Sequence, residues 1–361
     1  MTPTISGRRI AAAATALLAI AGATSSCSSA PKTASAPTSS SVSAPPGPPV
    51  VLTLYSAQHT QTTNAVVAAF TKQTGIKVNV DANDEDAMTA KVEQEGAKSP
   101  ADLVYTENSP WLQQLDKAGL LAKVNPPTLA AVPAADSGAT GDWVGVSARI
   151  SGITYNTNTL SAGQLPQSIM DLASPAWKDK IEIAPSETDF WPVVSSVLHT
   201  YGEAKTLDWL NGLKANAGSN DAVPSNENLA ADISQGNTDL GVLNHYYYYR
   251  LKTEVGPSVV NSQFAFFAPH DPGYVQNISG AAILASSKNQ AAAQQFLQFL
   301  TSPTGQTVLA TSESFEYPLA NGIAANPQLP PLNTLAPTAF SVTDLGTGDD
   351  AKALLQKVQL L

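Results

Sequence analysis

Three short stretches hold most of the chemically versatile side chains. Ser56-Ala57-Gln58-His59 follows the aliphatic run 50–55, Glu107 follows the run 101–106, and His245-Tyr246-Tyr247-Tyr248-Tyr249 follows the run 239–244. Each run reads as a buried strand, and in open α/β sheets ligands collect beyond the carboxyl ends of strands. Imidazole, carboxylate and phenol at three such ends form an oxygen-rich set with one neutral nitrogen. That set suits a hard, highly charged cation better than a soft one. A phenol of pKa near ~10 keeps its proton at neutral pH. Only a strongly acidic cation displaces it, by the depression of ligand pKa that bound metal ions cause. Two phenolates and one carboxylate balance a triply charged ion such as Fe3+, with His59 as the neutral donor. A divalent ion would find the same set over-charged, and normally takes carboxylates or thiolates.

Each residue also has a plainer reading. Four consecutive tyrosines suit packing at an interface, because tyrosine buries area while keeping its hydroxyl wet; Tyr248 and Tyr249 are assigned to packing. Adjacent strand residues point to opposite faces, so Tyr246 and Tyr247 reach one ion only if the chain leaves its strand there. His59 has an alternative as a loop residue bonded to backbone. Glu107 has one as a cap for a helix starting at Pro110, and His245 stands as an alternative donor. His199 and His270 read as solvated, and Asp84-Glu85-Asp86 as an exposed acidic turn.

The elements that position these residues alternate. Strand 50–55 is followed by helix 62–74, with Ala65, Val66, Ala69 and Phe70 at helical spacing and Gly75 as its stop, and then by strand 76–80. Such a succession implies parallel strands with a helical crossover. The alternation continues with strand 101–106, helix 110–121, extended segment 143–155, strand 181–184, helices 207–214 and 227–235, strand 239–244 and helix 289–300. No internal repeat is present. The class is α/β, with two lobes.

The chain has 361 residues, 19 Lys+Arg against 29 Asp+Glu, and a net charge of −10. Its length fits roughly two domains of ~150 residues. The acidic balance argues against nucleic-acid binding, which rests on clustered Lys and Arg. A single cysteine excludes an intramolecular disulfide and any Cys-rich metal site. Arg8 and Arg9 precede an apolar stretch, 10–23, and Thr24-Ser25-Ser26-Cys27. Residues 1–26 read as a secretory signal, too short to span a bilayer. Cys27 occupies the lipidation position of a bacterial lipoprotein signal, with Thr24 where an aliphatic residue is usual; the arginine pair fits twin-arginine export poorly. The Ser/Ala/Pro-rich stretch to residue 49 cannot bury enough apolar surface to order itself, so 27–49 reads as a flexible, lipid-anchored linker. No later apolar run approaches ~18 residues. The expected location is the periplasmic or cell-envelope space, with the exported protein lipid-anchored at the outer face of the bacterial cytoplasmic membrane.

Leu52-Thr-Leu-Tyr-Ser-Ala-Gln-His59, Tyr105-Thr-Glu107-Asn, Asn244-His-Tyr-Tyr247, Leu165-Pro-Gln-Ser-Ile-Met-Asp-Leu172, Trp177-Lys-Asp-Lys-Ile181 and Phe315-Glu-Tyr-Pro-Leu319 resemble the ferric-iron-binding proteins of bacterial ABC importers. The similarity runs in consistent order from residue 50 to about 323. It implies the type II periplasmic-binding-protein fold: two α/β lobes joined by a hinge of crossing strands, with the ligand in the cleft. The N-terminal lobe would comprise 50–150 and 277–327, and the C-terminal lobe 151–276 and 328–361. By the same resemblance His59, Glu107, Tyr246 and Tyr247 are the iron ligands. Arg149 holds a synergistic anion such as carbonate or phosphate, which Ser186, Asn226 and Asn244 contact. Two departures bear on that anion. Ser151 stands where a second arginine is frequent. Glu187 follows Ser186 where glycine is common, putting a carboxylate at a helix start that otherwise favours anions.

The implied protein is a monomeric receptor, not an enzyme. It closes on ferric iron and delivers it to an ABC permease with its ATPase. The alternative keeps the fold and binds a small phosphonate, a polyamine or a similar solute. A secreted hydrolase is the remotest reading, since no Gly-x-Ser-x-Gly, His-Glu-x-x-His or complete Ser-x-x-Lys set is present.

Overall fold

The computed structural model describes residues 50–217 and 223–361. The signal, Cys27 and the linker lie outside the described residues. No helix among the described residues is long and apolar enough to cross a membrane.

The first half of the chain builds β1 (Val51–Ala57), α1 (Thr60–Thr74), β2 (Lys77–Ala82), α2 (Glu85–Glu95), β3 (Leu103–Thr106), α3 (Ser109–Lys117), β4 (Leu121–Ala122), α4 (Pro126–Leu129) and β5 (Trp143–Asn156). There follow β6 (Ile181–Glu182), α5 (Trp191–Ala217), α6 (Asn226–Gln235), β7 (Leu240–Asn244), α7 (His245–Val255) and β8 (Ser262–Ala265). The chain then forms β9 (Gln276–Leu284), α8 (Gln290–Leu300), α9 (Pro303–Thr311), β10 (Tyr317–Pro318), α10 (Val342–Leu345) and α11 (Asp349–Lys357). Helix α1 buries Val66 and Phe70 and ends at Gly75, whose φ of 75° lets its N–H return to Thr71 O. That left-handed stop is the conformation only glycine adopts without strain.

The strands follow the order β2-β1-β3-β9-β5-β7-β6. As the strand–helix–strand alternation predicts, β1 is parallel to both β2 and β3. Beyond β3 the pairing turns antiparallel, through β9 to β5. Every residue of β5 is buried. Its first half, through Ile150, pairs with β9, and its second half, from Ser151, pairs with β7 and β8. One strand thus carries the chain from a first strand group to a second. A continuous apolar cluster includes Leu54, Val104, Trp143, Ile283 and the edge-to-face pair Phe70–Phe296. A smaller one gathers Leu229, Ile233, Leu243 and Phe315 around Tyr246 and Tyr247.

Several boundaries differ from the sequence reading. The helix expected at 207–214 is the end of α5, which starts at Trp191 and breaks at Gly202, with φ 78°. Its first turns, Trp191 to Val197, are buried all round, so they show no one-sided apolar stripe by which to recognise them. The strand expected at 181–184 shortens to β6, and the helix expected to reach 121 stops at Lys117.

Candidate metal centre

Four of the sequence-predicted residues sit where strands give way to helices. His59 precedes α1, Glu107 follows β3, and Tyr246 and Tyr247 lie in the first turn of α7, which starts directly after β7. The chain therefore leaves its strand at the point required for adjacent tyrosines to act together. Their rings lie 4.2 Å apart, centre to centre. Tyr246 OH donates to Asp189 Oδ2 at 2.7 Å and Tyr247 OH to the same oxygen at 2.9 Å.

Arg149, on β5, ties this pair to Glu107. Its Nη1 lies 2.8 Å from Glu107 Oε2 and 3.3 Å from Asp189 Oδ1, and its Nη2 lies 2.6 Å from Glu316 Oε1. The guanidinium is fully buried. A buried charge persists only when paired and hydrogen-bonded, and here three carboxylates of the chain do that. The arginine expected to hold an external anion is thus engaged by the protein's own anions.

His59 is the neutral member. Burial, reinforced by Arg250 and Arg149, holds its imidazole well below the usual histidine range. Its Nδ1 lies 3.1 Å from Glu107 Oε1, and a carboxylate that close favours the proton of the neutral ring on that nitrogen. Nε2 is then a lone pair, buried and without a hydrogen-bond partner. The ring stands edge-on to Tyr246 and Tyr247, at centroid distances of 5.3 and 6.3 Å. A metal-bound histidine has this arrangement: one nitrogen on a carboxylate, the other free to ligate.

Burial raises both phenols well above their ordinary pKa, and Asp189 adds to the effect. Burial also raises Glu107, against the pull of Arg149. For Asp189 burial is outweighed by Arg149 and the two tyrosine hydrogen bonds, which hold it below the usual carboxylate range. Glu187 is pushed up to about 7 by burial and by Asp189 and Glu227. Among the described residues no group of three His, Cys, Asp or Glu side chains converges as a metal site.

The other expected residues fall around this cluster. Asn226 Nδ2 donates to Tyr247 OH and to Glu187 Oε2, both at 3.3 Å. Ser186 and Glu187 line a cavity of about 750 Å³ that reaches His59, Glu107 and Tyr247. Asn244 ends β7 with its Nδ2 buried and unpartnered. Three plainer readings are corrected. Glu107 does not cap α3, because its carboxylate is taken by His59 and Arg149. His245 is no free donor, since Nδ1 accepts from Ile150 N–H and Nε2 lies 2.6 Å from Phe315 O. Glu85 is buried rather than part of an exposed turn. Asp189 and Glu316 were not singled out from sequence. The signal that could have found them is Arg149 itself, a charge inside an otherwise apolar strand that must have carboxylates near it.

The family model for bacterial extracellular solute-binding proteins matches residues 56–307. This chain belongs to that family. Solute-binding proteins are receptors rather than enzymes. This solute-binding protein is 39% identical over 284 residues to the Fe(3+)-binding periplasmic protein of Serratia marcescens, a match covering 79% of this chain and 83% of the relative. It is 34% identical to the major ferric iron-binding protein of Neisseria meningitidis serogroup B, over 85% of this chain and 92% of that one. Iron-bound HitA from Pseudomonas aeruginosa superposes with a TM-score of 0.82 at 38% identity, covering 86% of this chain and 99% of HitA. The mixed α/β fold of the solute-binding protein is therefore that of the type II periplasmic binding proteins.

Proposed function

We propose that this protein captures ferric iron and passes it to an ABC permease with its ATPase. Its ligands are His59 Nε2, the Glu107 carboxylate and the phenolates of Tyr246 and Tyr247. The observation that carries this reading is the pairing of an unpartnered, neutral imidazole nitrogen with two phenols that share one carboxylate oxygen. A trivalent ion displaces the two phenolic protons and is neutralised by the two phenolates together with the Glu107 carboxylate. Asp189 then supplies, from within the chain, the negative charge that a synergistic carbonate or phosphate supplies elsewhere, and Arg149 balances it. The relatives' names, which specify ferric iron, support the same ligand.

The two strand groups joined by β5 would be the cores of two lobes, with Glu107 contributed by the first, Tyr246 and Tyr247 by the second. Export by residues 1–26 and lipid attachment at Cys27 complete the proposal for a monomeric receptor at the outer face of the cytoplasmic membrane. Asp84, Glu107, Glu187 and Glu227 in the cavity wall disfavour a phosphonate. Equilibrium dialysis of metal-free protein against a ferric chelate, methylphosphonate and spermidine tests the assignment. Stoichiometric iron retention is expected; retention of an organic solute without iron would overturn it.

A further inference from the structure

Glu85 is buried, yet it lies outside the donor set. It opens α2, and its carboxylate accepts three hydrogen bonds: from Asn108 N–H at 2.7 Å, from Asn108 Nδ2 at 2.8 Å and from Thr188 Oγ1 at 2.7 Å. A longer contact of 3.4 Å from Asn108 Nδ2 to Thr188 Oγ1 closes the triangle. Asn108 is the chain neighbour of Glu107, and Thr188 that of Asp189. Asn108 is gripped a second time from β9, where Asn277 Nδ2 donates to its Oδ1. Thr188 instead comes from the segment between β6 and α5, on the side of the second strand group.

We propose that Glu85 is a positioning residue for the metal site: by holding Asn108 and Thr188 together, it fixes the separation of Glu107 from Asp189 across the two strand groups. The inference rests on the ferric reading above. A carboxylate placed in a low-dielectric interior is costly unless its lone pairs are filled, and here they are filled by the two residues that adjoin site carboxylates. Hydrogen bonds of this length are short and directional. Removing partners of this kind around a metal site typically lowers metal affinity about 10–100-fold. Thr188→Val deletes the hydroxyl at nearly constant shape, whereas Thr188→Ser keeps it.

The test loads wild type, Thr188→Val, Thr188→Ser and Glu85→Ala with ferric iron and times its release to excess EDTA, with melting curves of the metal-free proteins as controls. Thr188→Val is expected to release iron about 10–100-fold faster, Thr188→Ser at the wild-type rate, and Glu85→Ala at least as fast as Thr188→Val. Wild-type release from Thr188→Val, or equally fast release from Thr188→Ser, would overturn the positioning role while leaving the ferric reading intact. If wild type takes up no iron, the ferric reading fails and this inference with it. Should Glu85→Ala not fold, the two threonine variants decide the matter.

Discussion

Two adjacent phenols that donate to one carboxylate oxygen form a proton store that a strongly acidic cation can empty. Both stay protonated at neutral pH in the metal-free protein, since burial raises their pKa well above the ordinary value. With both bound to iron as phenolates, as proposed, the loaded state would hold at least two fewer protons. Affinity therefore rises with pH, by about tenfold per released proton per pH unit. Calorimetry in buffers of different ionisation enthalpy counts these protons. Two or more per iron is expected, and zero would contradict phenolate ligation. At this scale the clustering of His59, Glu107, Tyr246 and Tyr247 was legible in the sequence, because each follows a recognisable strand. Asp189, Glu316 and Glu85 were not. Their roles arise from contacts with residues far away in the chain, and nothing local distinguishes them from surface acids.

The element that matters most is β5, which is shared by both strand groups and buried along its whole length. It tolerates no added volume where its neighbours pack closest. A Cβ on Gly152 would lie 2.5 Å from Phe264 Cζ and 2.6 Å from the backbone oxygen of Ala265. The aromatic ring can turn aside, but the paired β8 backbone cannot without breaking its register. Gly152→Ala is expected to lower stability by about 1–3 kcal/mol, read as a lower urea midpoint; an unchanged midpoint would show that β8 is free to move. The sequence exposed β5 as a long extended run and also the parallel β1–β2 pair. It hid the start of α5, which has no polar face, and it overran the end of β6, which closes after two residues.

On the scale of the whole molecule, the site is assembled from segments that no single strand group owns. Glu107 comes from the end of β3, Tyr246 and Tyr247 from the start of α7, and Arg149 from the middle of the strand between them. A ligand that bonds to both sides gains affinity only in the closed arrangement, so binding shifts the population toward it. Small-angle scattering is expected to give a smaller radius of gyration for the iron-loaded protein than for the metal-free one. The difference should shrink in Glu107→Ala and vanish when His59→Ala is added, since the pair retains the tyrosines and loses both donors from the first group. Equal radii for loaded and metal-free wild type would contradict closure.

Visible absorption during ferric titration of the metal-free protein reports phenolate-to-iron bonding without reference to any other step. Wild type should develop a charge-transfer band that saturates at stoichiometric iron, weakened in Tyr246→Phe and in Tyr247→Phe and lost when both are changed. Absence of the band in wild type, or a band indifferent to both substitutions, would mean that these tyrosines only pack.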